Sequence, residues 1–175
     1  MMKSKTFIPM LSKTVLAVDP GFDRVGLAVM KLERDGPKLL FSQCFETDSK
    51  KARPERLFSI GRRIKDVIKK WQPETLAIET LFFNTNATSA IGVAEARGII
   101  IYEARNRDME IFEYGPQTIK MAVTGYGQAD KTQMANMVKK LVPLPKKSSK
   151  RLDDEVDAIA LGITHLATKK GIWYK

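Results

Sequence analysis

The chain has 175 residues, of which 30 are Lys or Arg and 20 are Asp or Glu, so its formal net charge is +10. This length predicts one domain, and 43% hydrophobic residues suffice for a buried core, which excludes a disordered chain. The positive charge favours a polyanionic partner, with nucleic acid as the first candidate. The single cysteine, Cys44, excludes an internal disulfide, and the single histidine, His165, argues against a histidine-rich metal site or a Ser-His-Asp enzyme.

The hydropathy pattern and the lone cysteine predict a cytoplasmic protein without a membrane partner. Residues 1–13 begin with a basic stretch, but their apolar run covers only residues 7–11 and contains Pro9, which is too short for a signal peptide. We therefore expect a flexible basic extension over residues 1–13 and one folded domain over residues 14–170.

The first part of the chain predicts three strands. Residues 14–18 form a short apolar run rich in β-branched side chains, which ends at the turn signal Asp19-Pro20-Gly21. Residues 24–31 resume the strand pattern. A second turn at residues 35–37 leads to a third strand over residues 38–45, so the three strands predict an antiparallel meander.

The hydrophobic period then changes, and helices alternate with strands. In residues 52–71, apolar side chains recur at three- and four-residue steps while Lys and Arg fill the other face, as in an amphipathic helix. Further strands are predicted at residues 75–78 and 109–114, and further helices at residues 87–106, 117–123, 130–141 and 153–168. This order predicts an α/β fold with a five-stranded mixed sheet flanked by helices.

Four acidic residues are the candidates for chemistry. Asp19 and Glu79 end the first and fourth strands, where ligands bind in such sheets, while Asp154 and Asp157 lie three residues apart on one face of the last helix. Carboxylates that converge need cations, and oxygen ligands suit Mg²⁺ or Mn²⁺. Two such ions could activate water and stabilise the leaving oxygen of a phosphodiester.

Each acid also has a structural interpretation. An Asp before Pro-Gly is often a turn residue, and acids at a helix start, such as Asp153 and Asp154, often cap the helix. Glu79 and Asp157 fit this interpretation less well, because each follows or precedes apolar residues and would need a partner. The joint arrangement is therefore more specific than any single acid.

Four sequence blocks then resemble one family. LAVDPGFDRVGLAVMK resembles the opening strand and hairpin of the RuvC family of Holliday-junction resolvases, and AIETLFFNTNATSAIGVAEARGII resembles its second acidic segment and the following helix. QTIKMAVTGYGQADKTQMANMVKKLV resembles the basic segment of that family, and DDEVDAIALGITH resembles its closing acidic helix. The blocks occur in the family's order and cover most of residues 14–168.

The resemblance implies a ribonuclease H-like fold, a homodimer and Mg²⁺-dependent paired nicking of four-way DNA junctions in recombination and repair, with two ions per site and Mn²⁺ as a substitute. A branch-migration helicase complex is a further candidate partner. The resemblance implies that Asp19, Glu79, Asp154 and Asp157 bind the metal, that Lys120 and Lys131 lie near the scissile phosphate, and that Phe82 stacks on a junction base.

Phosphate binding by a resolvase requires cationic side chains, and the loop before the last helix supplies four of them. We therefore predict DNA contacts by the loop set Lys146, Lys147, Lys150 and Arg151. Phe82 lies on a polar loop, where an exposed ring is costly without a partner such as a base, although core packing is the alternative for it and for Phe83.

The remaining patterns concern packing. Ala90, Ala94, Gly98 and Tyr102 recur at four-residue steps and form a candidate dimer face, with packing on the chain's own sheet as the alternative. His165 lies over two helical turns beyond Asp157, so we predict a helix residue and not a ligand there. Cys44 falls in a strand pattern and is predicted to belong to the core.

Three other functions stay open at this level. The same four acids would serve another ribonuclease H-like nuclease acting on RNA or flaps. A junction-binding protein that does not cut is less consistent with the presence of all four acids. A sugar- or acetate-kinase-like fold also has an Asp-Gly pair after its first strand, but the further glycine motifs it needs are absent from the sequence.

Overall fold

The computed structural model describes residues 14–81, 87–145 and 151–169. Their centre is a five-stranded mixed sheet with the strand order β3-β2-β1-β4-β5. β1, β2 and β3 form the predicted antiparallel meander, and β4 and β5 add to β1 in parallel. The strands are β1 (Thr14–Asp19), β2 (Arg24–Glu33), β3 (Gly36–Glu46), β4 (Thr75–Glu79) and β5 (Glu110–Tyr114).

Five helices cover the two faces of this sheet, as the alternating periods predict. One hydrophobic cluster joins the sheet to α1 and α2, and a second joins its other face to α3, α4 and α5. Their bounds are α1 (Arg53–Trp71), α2 (Ala87–Arg105), α3 (Pro116–Thr124), α4 (Lys131–Leu141) and α5 (Asp153–Lys169). None of the helices in these described residues is long and apolar enough to cross a membrane.

Local signals explain where several helices begin and end. α1 and α3 each have a proline in their first turn and end at a residue with positive φ, Gln72 (φ 47°) and Gly125 (φ 75°). α4 begins with a capping box in which the Asp130 side chain accepts from the Gln133 backbone N–H while the Gln133 side chain accepts from the Asp130 N–H. For most of the element ends, the observed bound differs from the predicted one by one or two residues.

The pleat of the sheet assigns side chains to the two faces. Val15 and Ala17 of β1 belong to the α5-side cluster, whereas Leu16 and Val18 belong to the α1–α2 cluster. This alternation is the period of two that every strand imposes. Residues that continue the odd-numbered series of β1 are therefore directed towards α5.

The predictions for the single histidine and the single cysteine have different outcomes. His165 lies on α5, as predicted, and the structure shows that it is buried: its ring nitrogens lie 3.1 Å from Thr75 Oγ1 and 2.9 Å from the Tyr114 hydroxyl. The prediction that Cys44 belongs to the core is wrong, because this side chain is partly exposed and its Sγ lies 3.8 Å from Asp154 Oδ2. The strand period could not decide this, since β3 is an edge strand and has half-buried residues along most of its length.

Candidate active site

The first two candidate acids lie side by side at one edge of the sheet. Asp19 is the last residue of β1 and Glu79 is the last residue of β4, and the two strands are parallel with Val18 opposite Ile78. Asp19 follows Ala17 by two residues, and Glu79 follows Ala77 by two. Since both alanines belong to the α5-side cluster, the pleat directs both carboxylates towards α5.

The N-terminal part of α5 brings the other two acids to the same edge. The charges of Glu79, Asp157 and Asp154 all raise the pKa of Asp19, and the charge of Asp157 raises that of Glu79. The four predicted acids, drawn from three elements, are thus electrostatic neighbours. Within residues 14–81, 87–145 and 151–169, however, no group of three His, Cys, Asp or Glu side chains is arranged closely enough to hold an ion.

Burial and mutual repulsion keep Asp19, Glu79 and Asp157 from ionising readily. Burial is the largest cause of the shift at Asp19, whose pKa rises to about 8, and at Glu79, whose pKa rises to about 7. Burial also raises the pKa of Asp157. A site that must carry several negative charges at neutral pH is therefore unfavourable until cations compensate them, which is the electrostatic requirement of a metal centre.

Asp154 and its neighbour Asp153 have different partners. The Asp154 carboxylate forms an ion pair with Arg24 (Nε to Oδ2, 3.2 Å) and accepts from the Cys44 thiol. The exposed Asp153 carboxylate pairs instead with Lys131 (Nζ to Oδ2, 3.3 Å). Asp154 but not Asp153 raises the pKa of Asp19, whereas both raise the pKa of Asp157.

Both candidate lysines lie within the electrostatic reach of the cluster. The charge of Lys131 lowers the pKa of Asp19 and Asp157, and the charge of Lys120 lowers that of Asp157. The hydrogen bond to Asp153 raises the pKa of Lys131 itself, so this side chain carries its charge at neutral pH. The two lysines come from α3 and α4, which pack beside α5.

The predicted DNA-contacting loop is only partly described. Phe82, Lys146, Lys147 and Lys150 lie outside the described residues. Arg151 is described, and its side chain is 13% exposed and directed inward, 3.2 Å from Glu155 and 2.8 Å from the Pro145 carbonyl oxygen. The guanidinium thus forms one hydrogen bond through Nη2, whereas Nε lies within ion-pair distance of Glu155 but has no hydrogen-bond partner among the described residues.

Three residues at the site escaped the sequence reasoning. Arg24 pairs with Asp154, and Arg97 of α2 donates to the Glu79 backbone carbonyl (3.2 Å) while forming an ion pair with Glu113 (2.6 Å). A Cβ at Gly26 would overlap the Asp154 carbonyl oxygen, so only glycine fits where α5 crosses β2. A glycine inside a strand is a signal of such a close approach, whereas nothing local marks the two arginines.

This sheet, with acids at the ends of β1 and β4 and on a crossing helix, is that of a nuclease with a ribonuclease H-like fold. Residues 15–165 match the family model of the crossover junction endodeoxyribonuclease RuvC. The chain belongs to the RuvC family, and it is therefore a DNA endonuclease. Membership of this family does not favour the three alternatives that the sequence left open, which were a junction-binding protein that does not cut, a nuclease acting on RNA or flaps, and a kinase-like fold.

Individual relatives agree with this assignment. A protein of Alkaliphilus oremlandii named crossover junction endodeoxyribonuclease RuvC is 42% identical over 154 residues, which cover 88% of this chain and 93% of that protein. The structure of RuvC from Thermus thermophilus has a TM-score of 0.79 at 30% identity, covering 90% of this chain and 96% of that one. T. thermophilus RuvC in complex with a Holliday junction substrate gives 0.82 at 29% identity, with coverage of 91% and 96%.

Proposed function

We propose that this chain resolves four-way DNA junctions by hydrolysing phosphodiesters in two strands of like polarity, with Asp19, Glu79, Asp154 and Asp157 as the metal-binding residues. The observation that carries this proposal is the convergence of these half-buried carboxyls from β1, β4 and α5 in a member of the RuvC family. The raised pKa values of Asp19, Glu79 and Asp157 mark a site that lacks positive charge, and the DNA substrate would add further negative charge.

The donor set fits Mg²⁺, with Mn²⁺ as a substitute. All four side chains offer oxygen ligands, which hard divalent cations prefer. The ion pairs at this edge leave the centre of the cluster uncompensated, because Arg24 pairs with Asp154 and Lys131 pairs with Asp153. The residues that would hold the cation are Asp19, Glu79, Asp154 and Asp157. When bound, a pair of such ions supplies an activated water and charge stabilisation at the scissile phosphate.

The chain's own residues then have separate tasks. The strand ends hold Asp19 and Glu79 on a rigid sheet, and Arg97 fixes the backbone at Glu79 through its carbonyl oxygen. Lys131 is 79% exposed beside the cluster, so it can contact a phosphate without leaving its position. Lys120 lies close enough to Asp157 to lower its pKa, and it adds a second positive charge on this side of the site.

DNA recognition also involves residues outside the described ranges. We propose that Phe82 stacks on a base at the junction, because the resemblance to the RuvC family implies a stacking aromatic at this position. In the segment that precedes α5, three lysines would contact DNA phosphates: Lys146, Lys147 and Lys150. The proposed substrate is a four-way junction, and T. thermophilus RuvC has been solved with a Holliday junction substrate.

A homodimer would present two sites to the two strands that must be cut, since a four-way junction has approximate two-fold symmetry. The exposed face of α2 supports this part of the proposal. Ile91 is 56% exposed and Tyr102 is 64% exposed, Gly98 between them has open space around it, and Phe58 of the adjacent α1 is 67% exposed. Large exposed apolar side chains of this kind mark interaction surfaces.

Cleavage of a synthetic four-way junction tests the proposal. The protein is incubated with Mg²⁺ or with EDTA, beside linear duplex of the same sequence, and Asp19→Asn serves as the matched variant. We expect symmetric, ligatable nicks in the junction with Mg²⁺ only, and none from the variant. Cleavage by Asp19→Asn at the wild-type rate would contradict the metal assignment. Equal cleavage of linear duplex would contradict the substrate.

A further inference from the structure

A partly buried polar seam joins the first turn of α5 to β3. We define this α5 seam by four residues: Ser42, Cys44, Arg151 and Glu155. Glu155 is 3% exposed, and its Oε1 accepts a hydrogen bond from Ser42 Oγ at 2.5 Å. The same oxygen lies 3.2 Å from Arg151 Nε. One residue earlier, the Asp154 carboxylate accepts from the Cys44 thiol.

The burial of the Glu155 carboxylate in the first turn of a helix is unusual and requires an explanation. Acids at that position usually face solvent and favour the helix dipole, as the exposed Asp153 does. Burial of Glu155 is costly unless it is paired, and its partners come from β3 and from the residue four positions before it. These contacts hold the start of α5 at one depth and one rotation over the sheet.

The position and rotation of this first turn determine where two of the proposed metal-binding side chains lie. Asp154 immediately precedes Glu155, and Asp157 follows it by two residues. The Asp154 carbonyl oxygen also rests directly over Gly26, so a rotation of the first turn would move both the backbone and the carboxylates. Outer contacts that orient metal-binding groups are known to affect metal affinity strongly.

Arg151 belongs to this seam by its contacts. Besides the ion pair with Glu155, its Nη2 donates to the Pro145 carbonyl oxygen at 2.8 Å. Its side chain is only 13% exposed and is directed towards Glu155 and Pro145, in contrast to that of Lys131, which is 79% exposed. The sequence pattern grouped Arg151 with the phosphate-binding lysines, but its surroundings are those of a structural arginine.

We infer that Glu155 and Arg151 are positioning residues that seat the first turn of α5 for metal binding, and that Arg151 does not contact DNA phosphates. This inference rests on the proposed function, because the metal-binding role of Asp154 and Asp157 is part of that proposal. It changes the expected behaviour of an Arg151 variant from weaker DNA binding to weaker metal binding.

Two measurements on the full chain test the inference. Mn²⁺ binding to the protein alone is followed by electron paramagnetic resonance for wild type, Ser42→Ala, Glu155→Gln, Arg151→Gln and the double variant Glu155→Gln/Arg151→Gln. Junction affinity is measured against salt concentration in EDTA for the same proteins. Lys131→Gln is the comparison for a lost phosphate contact, and Lys38→Gln is the control for a charge lost near the start of β3, away from the site.

We expect the seam variants to raise the Kd for Mn²⁺ about 10-fold. Arg151→Gln should keep the wild-type salt dependence of junction binding, whereas Lys131→Gln should reduce the slope by about 1. A reduced slope in Arg151→Gln would show a phosphate contact and overturn the inference. Unchanged Mn²⁺ affinity in folded seam variants, with only a lower Tm, would show a purely structural role and overturn it as well.

The test remains decisive even if one of the single seam variants does not fold. Removing one partner of a buried pair is strongly destabilising, but the double variant removes both charges together, and Ser42→Ala leaves the ion pair intact. Failure of the proposed function has a different signature. If wild-type protein binds no Mn²⁺, the proposed metal site is refuted irrespective of the seam variants. If it binds Mn²⁺ but cleaves no junction, the proposed activity is refuted while the Mn²⁺ affinities of the seam variants still decide the inference.

Discussion

Replacing Asp19 with asparagine should stabilise the metal-free protein at alkaline pH. In the folded state the pKa of Asp19 rises from 3.8 to about 8, so the folded protein holds a proton that the unfolded chain releases above about pH 4. The stability associated with Asp19 is therefore fully present below pH 4 and is lost as the pH rises towards 8. The asparagine side chain of the variant cannot ionise, so the variant does not lose this stability.

The size of the expected stabilisation follows from the shift in the pKa of Asp19. Each pKa unit corresponds to about 1.36 kcal/mol, so the whole rise sets an upper value of about 6 kcal/mol. Part of the rise comes from the charges of Glu79, Asp157 and Asp154, and the pKa values of Glu79 and Asp157 are themselves raised, so these two can take up protons. We therefore expect a difference of about 2–4 kcal/mol at pH 8.5. For a chain of this size that is a Tm increase of about 4–16 °C.

Urea unfolding in EDTA at pH 5 and at pH 8.5 measures the prediction. The advantage of Asp19→Asn over wild type should be much larger at pH 8.5, and saturating Mg²⁺ should reduce it by stabilising wild type. Glu33→Gln is the matched control, because Glu33 is an exposed acid whose pKa is lowered by Lys31 and Lys38. An advantage that does not grow between pH 5 and pH 8.5 would refute the electrostatic reasoning.

Three further predictions concern geometry and charge. Gly26→Ala should greatly reduce cleavage, because its Cβ would displace α5 at the Asp154 carbonyl oxygen; wild-type activity in a folded variant would contradict this close approach. Lys131→Gln should slow junction cleavage at saturating DNA in a single-turnover assay, and an unchanged rate would remove Lys131 from the site. Tyr102→Glu should convert a dimer to a monomer in sedimentation, because it places a charge on the exposed face of α2; unaltered sedimentation of a dimeric wild type would locate the interface elsewhere.

Local sequence patterns predicted most of the architecture. The change from two-residue to three- and four-residue periods separated the strands from α1, and the turn at Asp19-Pro20-Gly21 marked the end of β1. These signals involve neighbours within a few positions, so they survive without knowledge of the fold. The four acids were found for a related reason, because strand ends and i, i+3 spacing on a helix are visible in sequence.

Contacts between distant elements were accessible only from the tertiary structure. Cys44 and Arg24 contact Asp154, and Arg151 is directed towards Glu155 and away from solvent. A charged residue in a basic loop has no local signal for its direction, because that direction depends on a buried carboxylate and on the strand beneath it.

The sequence by itself determined the order of strands and helices, the acids at their ends and the family. The tertiary structure decided how those acids are held. Ser42 and Glu155 are 113 positions apart, yet they form one hydrogen bond because the meander places β3 beneath the first turn of α5. Such a contact depends on sheet order, strand register and the pleat together, and none of the three is encoded in a window of a few residues.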